Sequence, residues 1–513
     1  MQTSTQIKLL LFLLTLCTFN RVVDAQTIPF EITDGSPVVF TSVSVIPMDS
    51  ERVIPDQDVV IVSGLITEIA PTGMVTIPAN AEIIDASGLF LMPGLVDMHT
   101  HLGAEVAITG GTGINQMQVY LAGGVTTILN QGDFIAPFGN GLISLGQRIR
   151  NGELAGPTLY TASYARGPSD GGAPQQIVET ELDGRDHVIG SKAAGYNYIK
   201  IYNATPLQAY EGIIDQARIE NMAIMGHFPS PVGSAKALAD GMAMVSHAEA
   251  YFYSHYHFAQ DPTLTLSAIN QTLNSRASVN TTLYILETIA AIWGGNTAAF
   301  NAFLAKPQMQ YVHPAEIQVW RNGFEGSRWS PPGSQPGALD SRFAFVKQYT
   351  KDFHYAGIRL IAGTDSPTVL GAPGFSTHEE MRVLAQLGLS RFEILTITTR
   401  NAADFIAETI PAALPFGTIE VGKRADILLL NANPLVDLRN AQNAVGVMAR
   451  GNWYSRANLD SRLEAIAAQY AAMTPVPQPP SSGGGGGSAG LALFFLLCLG
   501  LRCRYAGSTG QRS

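Results

Sequence analysis

Between residues 93 and 413 the chain alternates short apolar, β-branched runs with longer stretches of helical spacing, and this alternation narrows the fold more than any other feature. Val125–Leu129, Tyr198–Tyr202, Ala223–Met225, Met244–Ser246 and Arg359–Ala362 are runs of the first kind. Leu207–Asn221, Ser234–Asp240 and His378–Gly388 are stretches of the second. Alternation over so long a stretch predicts an α/β protein, a (β/α)8 TIM-type barrel with insertions, although a doubly wound open sheet shares the same texture. Residues 251–340 show no clean period and read as inserted loops.

The flanks differ. Val38–Ser44, Asp58–Val62, Ile66–Ala70 and Ala81–Asp85 are β-rich runs broken by Gly, Pro and Asp. Ile427–Leu430 and Ala444–Met448, with a Gly451-Asn452 turn, repeat that pattern near the other end. The expected organisation is a small β-sandwich built from both termini, residues 26–92 and 414–470 with a final helix, around a barrel spanning 93–413.

Two terminal segments stand apart. Lys8, the apolar run Leu9–Leu16 and Val23-Asp24-Ala25 have the order of a secretory signal, so 1–25 is expected to be a signal peptide cut after Ala25. Residues 471–488 form a Pro/Gly-rich linker containing Pro475–Pro480 and Gly483–Gly487. In 489–513 a short apolar segment, Ala489–Leu501, is followed by Arg502 and Arg504. This order resembles the GlyGly-CTERM sorting tails of Gram-negative bacteria. The resemblance implies transient membrane contact through the tail and handling by export and sorting machinery. The protein would then work in the periplasm, at the cell surface or in the medium; a plain membrane anchor is the alternative.

Composition removes several classes of function. Hydrophobic residues make up 46% and charged residues 14%, too apolar a balance for a disordered chain. The net charge is −10 and no basic tract offers phosphate contacts, which argues against nucleic acid as a partner; the partner expected is a small-molecule substrate. Cys17, Cys498 and Cys503 are the only cysteines, all in the terminal segments. The body therefore has no thiol for catalysis, disulfides or metal binding, and any metal must be held by His and carboxylate.

The sharpest local signal is Pro93-Gly-Leu-Val-Asp-Met-His-Thr-His101, where a strand would place His99 and His101 on one face at its C-terminal end. His227, His247 and Asp365 each end a short apolar run of the same kind, the position at which a barrel strand meets its catalytic face. Lys200 lies inside the apolar run Tyr198–Tyr202, where burial would push its pKa down. A neutral amine there can add CO2 to give a carbamate, a good bridging metal ligand. An ion pair with Asp365 or another acid is the equal alternative.

On these motifs the chain resembles the amidohydrolase superfamily, in particular its imidazolonepropionase and prolidase-like metal-dependent hydrolases. Pro93–His101, Ala122-Gly-Gly-Val-Thr-Thr127, Gly363-Thr-Asp-Ser366, Thr399-Arg-Asn-Ala-Ala403 and Gly417–Asp426 carry the resemblance, which runs from about residue 36 to 455. It implies His99, His101 and Asp365 as ligands of a deeper divalent metal and His227 and His247 as ligands of a second. It implies Lys200, carboxylated, as the bridge between them, with zinc the first candidate. The function it implies is cleavage of C–N bonds in amides, cyclic amides or dipeptides by a metal-bound hydroxide, with Asp365 moving the proton. The alternatives are a one-metal deaminase of the same fold and a metal-binding surface protein without turnover.

Substrate recognition is less legible. Dipeptidase-like relatives carry Gly-Gly-His-Gly after the third strand, whereas Ser163–Pro174 has no His. Asn130 stands where a second-strand Arg is common. Arg166 could hold a carboxylate or be a solvated loop residue. Tyr251, Tyr253, His255, Tyr256 and His257 either line the pocket or pack an insertion. His378 is expected to start a helix, Trp320 and Trp329 to belong to a lid, and His187, His313 and His354 to be structural.

Overall fold

The computed structural model describes residues 36–102, 114–132, 140–171, 176–326 and 328–473. The expected signal peptide, the linker from residue 474 onward and the 489–513 tail lie outside them. Among the described residues no helix is long and apolar enough to cross a membrane.

Two sheets organise the molecule. The larger runs β6 (Leu95–Thr100), β7 (Val125–Asn130), β8 (Thr158–Ala165), β9 (Tyr198–Ile201), β10 (Ala223–Gly226), β11 (Met244–Val245), β12 (Ser278–Asn280) and β13 (Leu360–Ile361). They are hydrogen-bonded in sequence order, every neighbour parallel. The sheet closes where Met98 N donates to Ala362 O at 2.9 Å and Asp365 N to His99 O at 2.7 Å. This is the expected barrel rather than an open sheet. Helices such as Glu181–Ala194 and Leu207–Glu220 cover its outside. Val96, Met98, Leu129, Tyr160, Tyr198, Met225, Met244 and Ile361 fill one apolar cluster with Phe405 and Phe416. Strand alternation sends these residues inward below the layer that carries the histidines.

The second sheet joins both ends of the described chain. It comprises β1 (Val38–Val45), β2 (Ile54–Val62), β3 (Leu65–Pro71), β4 (Glu82–Asp85), β5 (Phe90–Pro93), β14 (Ile427–Leu430), β15 (Ala444–Ala449) and β16 (Asn452–Ser455). Its order is β16-β15-β14-β5-β1-β2-β3, with β4 on β1, mostly antiparallel. Pairing of β5 with β14 ties the N-terminal run to the C-terminal one. Phe40, Val43, Val59, Ile61, Leu91, Ile427, Leu429 and Met448 form its core. Because β5 leads through Gly94 into β6, the small domain fixes where the strand bearing His99 begins.

The segment without a period is mostly helical: Thr265–Ser275, Leu283–Ile292, Thr297–Leu304 and Pro314–Glu325. Leu283–Ile292 is buried on nearly every side, so it has no polar face to set a period.

Candidate active site

His99 lies at the end of β6 and His101 just beyond it. Lys200 lies in β9, His227 follows β10, His247 stands two residues past β11 and Asp365 four past β13. The structure brings all of them to the C-terminal rim of the barrel. Ring centroids are 5.2 Å apart for His99 and His101, 4.5 Å for His99 and His247, and 4.8 Å for His227 and His247. Lys200 Nζ is 3.0 Å from His99 Nε2. Asp365 Oδ1 is 3.3 Å from His99 Nε2 and 2.9 Å from His101 Nε2. Ligand atoms of His99, His247 and Asp365 all lie within 4.8 Å of one another. His99, His101, Lys200 and Asp365 are buried, whereas His227 and His247 keep partial exposure, which places the mouth on their side.

The outer ring nitrogens set the tautomers. His99 Nδ1 lies 2.9 Å from Ser246 O, a group that only accepts, so His99 donates from Nδ1 and presents a lone pair at Nε2. His227 Nδ1 meets Asn203 Oδ1 at 2.7 Å and His247 Nδ1 meets Thr282 Oγ1 at 2.9 Å. Ser246 Oγ in turn donates to Gln131 Oε1 at 2.6 Å. Asn203, Ser246, Thr282 and Gln131 thus orient the imidazoles. No spacing rule marks them, since they act through an amide, a backbone carbonyl and hydroxyls rather than carboxylates.

This donor set fits a cation. The His99 Nε2 lone pair meets the Lys200 amine at 3.0 Å and the Asp365 carboxylate at 3.3 Å, so imidazole lone pairs, an amine and a carboxylate converge on one point, the donor set a divalent cation takes. His227 Nε2 is buried with no hydrogen-bond partner among the described residues, a costly state for a polar atom that a ligand would relieve. Burial pushes His247 down to about 3 and holds His99 and His227 well below the usual imidazole range, with Lys200 also disfavouring their charged forms. The imidazoles are therefore neutral, as metal ligation requires. Burial also brings Lys200 down to about 7, with Asp365 opposing that shift. Burial raises Asp365, but the His101 hydrogen bond and electrostatic coupling to His101, His247 and Lys200 outweigh it and leave the carboxyl below its ordinary value.

Asp97 braces the cage from beneath. Its Oδ1 accepts from His99 N at 3.2 Å and Thr364 N at 3.0 Å, and Oδ2 accepts from Thr364 Oγ1 at 2.6 Å. It therefore ties the first strand to the turn that carries Asp365. Gly363 leaves room for this closure: a Cβ there would meet Asn280 Oδ1 at 2.3 Å and His99 Cβ at 2.6 Å. Gly363→Ala is expected to displace His99, to cost about 1–3 kcal/mol and to weaken metal binding. Urea unfolding and a metal titration check both effects.

The remaining candidates sort by contact. Arg166 is not a solvated loop residue, being only 4% exposed, because Tyr164 and Tyr202 cover it. Ser163, Tyr164 and Ala165 belong to β8, and Ser163 Oγ faces His187 Nε2 at 3.2 Å. Asn130 braces the loop beyond β6, its Oδ1 accepting from Leu102 N at 2.7 Å. Tyr251 and Tyr256 pack on Phe353 and Tyr349, and His255 Nε2 reaches Leu264 O, so these residues stabilise an insertion. His378 stands in the first turn of helix Phe375–Gln386, its Nε2 donating to Gly123 O at 2.7 Å. Trp320 Nε1 donates to Pro367 O at 2.9 Å, which seats the inserted helix beside Asp365.

Residues 348–454, which include Asp365, match the amidohydrolase family. Dihydropyrimidinase 1 of Caenorhabditis briggsae is 25% identical over 417 residues, covering 73% of this chain and 79% of that protein. Among solved structures, a Xaa-Pro dipeptidase with methionine in its active site is similar with a TM-score of 0.62 at 18% identity. The match covers 82% of this chain and 100% of that one. A bottromycin amidohydrolase gives a TM-score of 0.62 at 20% identity, over 85% and 91%. These structural likenesses establish the fold: a barrel of parallel strands with a second, mostly antiparallel sheet.

Proposed function

We propose that this chain is an exported, metal-dependent hydrolase of C–N bonds in amides, cyclic amides or dipeptides. The observation that carries the reading is the meeting of His99, His101, Lys200, His227, His247 and Asp365 at one barrel rim, with neutral imidazoles turned inward. The amidohydrolase match and the dihydropyrimidinase relative support hydrolysis of amide-type substrates. His99, His101 and Asp365 would hold one divalent ion and His227 and His247 a second, with Lys200, carboxylated, between them; zinc suits the donor set. Ions so held would supply a nucleophile at neutral pH and polarise the substrate carbonyl. Asp365 accepts the proton released by the attacking water and returns it to the leaving nitrogen. Asn203, Ser246 and Thr282 keep the imidazole lone pairs aimed inward throughout.

Export rests on the composition of the two terminal segments, and the tail 489–513 is the proposed membrane-contacting sorting element. The mass of the mature protein tests both cuts.

Metal analysis of purified protein is expected to give about two equivalents of zinc, and an intact mass should carry one added CO2 that Lys200→Ala lacks. Dialysis against a chelator should abolish turnover of N-acyl amino acids, dipeptides and lactams, and zinc should restore it. One equivalent with no CO2 adduct would favour the deaminase alternative. Full metal content with no turnover of any such compound would overturn the hydrolase reading.

A further inference from the structure

Thr282 is left-handed, at φ 43° and ψ 40°, between β12 and the helix Leu283–Ile292. A branched Cβ makes that conformation costly, and it persists only where neighbouring bonds hold it. Thr282 is also the N-cap of this helix, the position at which a threonine ordinarily accepts from N–H groups of its own first turn. It makes no such bond. Its hydroxyl meets His247 Nδ1 at 2.9 Å instead, and the start of the helix needs another acceptor.

Glu380 supplies that acceptor from a different helix. Leu283 N donates to Glu380 Oε1 at 3.0 Å and Tyr284 N to Oε2 at 2.6 Å. On the other side of Thr282, Thr281 Oγ1 donates to Oε1 at 2.5 Å. One carboxylate thus grips the chain before and after the strained residue, and both of its oxygens are used. Thr281 N donates to Ile361 O at 2.9 Å, which ties this stretch to β13. Glu380 is fully buried and these partners are neutral. Its neighbour Glu379, by contrast, pairs with Lys306 and Arg382. A carboxylate taken out of water without a cation is costly unless several donors converge on it. The helix that carries it, Phe375–Gln386, is seated under the cage: Thr377 Oγ1 donates to Asp97 Oδ2 at 3.3 Å, and His378 Nε2 to Gly123 O at 2.7 Å.

We propose that Glu380 is a positioning residue for His247: by capping the helix Leu283–Ile292 in place of Thr282, it holds Thr282 left-handed and frees the threonine hydroxyl to fix the imidazole with its Nε2 lone pair inward. This rests on the reading of the cage as a metal site. The bonds run from Glu380 to the residues flanking Thr282, and from Thr282 to His247, so the ion assigned to His227 and His247 is the one affected. A glutamine cannot stand in, because its amide nitrogen would face a donor that the second carboxylate oxygen now accepts from. Without the carboxylate, Thr282 is drawn to cap its own helix and His247 Nδ1 loses its partner.

The test is the tautomer of His247 in full-length, zinc-stripped protein, read from long-range proton–nitrogen NMR correlations at neutral pH and assigned with His247→Asn. Burial keeps the ring uncharged there, so the spectrum reports which nitrogen carries the hydrogen. Wild type should show a single Nδ1–H form. Glu380→Gln and Thr282→Val should each give a mixture of both tautomers, and the double variant no more than either alone, since all three break one path. Thr282→Ser, which keeps the hydroxyl, should retain the wild-type form. In competition titrations with a zinc chelator, Glu380→Gln should weaken the second zinc equivalent about 10–100-fold and leave the first unchanged. Where Glu380→Gln does not fold, Thr281→Val, which removes only the hydroxyl bond, takes its place and should shift the tautomer in the same direction. A wild-type tautomer in Glu380→Gln beside a lower melting temperature would make Glu380 a structural cap alone and overturn the proposal. An unchanged tautomer in Thr282→Val, or additive effects in the double variant, would overturn it too. A wild type that binds a single zinc equivalent removes the two-ion reading, and the tautomers still decide the role of Glu380. Two equivalents with full turnover and unaltered tautomers in the variants do the reverse.

Discussion

Asp365→Asn is expected to lower kcat by about 10²–10⁴-fold while the protein stays folded. The carboxylate oxygen stands 2.9 Å from His101 Nε2 and 3.3 Å from His99 Nε2, so it is both a cage member and the base nearest to any water held there. Its depressed pKa, with burial overcome by His101, His247 and Lys200, keeps it ionised at neutral pH and ready to accept a proton. An asparagine side chain is nearly isosteric, so the turn at this position and its backbone bond to His99 O should survive. What disappears is the negative charge and the proton acceptor. Metal content is the control that separates the two losses. If the Asp365→Asn variant, reloaded to full zinc occupancy, recovers wild-type kcat, proton transfer by this residue is disproved. If occupancy collapses and cannot be restored, the residue acts chiefly as a ligand.

Much of this site could be read from sequence because barrel strands are short and their ends are marked. His227, His247 and Asp365 each follow an apolar run, and a polar residue in that position signals the rim whatever the intervening helices do. The supporting partners could not be read. Asn203 and Thr282 act through an amide and a hydroxyl, and Ser246 through its backbone carbonyl, chemistry available at almost any position. Two barrel strands escaped for different reasons. β12 spans only Ser278–Asn280 and shows no alternation at that length. In β8, Thr158–Ala165, the residues Thr, Ala and Ser interleave with Leu and Tyr, so no continuous apolar run marks a strand that is nonetheless buried at every position. Arg166 reads as a loop residue in sequence because nothing local shows that Tyr164 and Tyr202 will enclose it. That enclosure depends on β8 and β9 lying side by side, a tertiary fact.

Stability should depend most sharply on an ion pair far from the chemistry. Arg424 and Asp426 have side chains only 1% exposed, at 2.5 Å between Nη2 and Oδ2 and 2.7 Å between Nε and Oδ2. Arg424 Nη2 also donates to Thr127 Oγ1 at 2.9 Å in β7, and Asp426 Oδ1 accepts from Arg450 N at 2.8 Å. Arg450 Nη1 in turn reaches Gly156 O at 3.0 Å, just before β8. The pair therefore bolts the C-terminal half of the small sheet to the barrel end opposite the cage. Asp426→Ala would leave a buried guanidinium without its counter-charge and should cost about 3–5 kcal/mol, seen as a lower urea midpoint. Replacing both partners, as Arg424→Met with Asp426→Leu, removes the charge along with its partner and should cost far less than the single change. Equal losses in the two proteins would mean that the pair's specific hydrogen bonds to Thr127 and Arg450, rather than charge compensation, hold this junction. The cage lies at the other rim, so metal stoichiometry of the folded fraction should be the same in both variants. A change there would show that the junction sets the position of β6 and, through it, of His99.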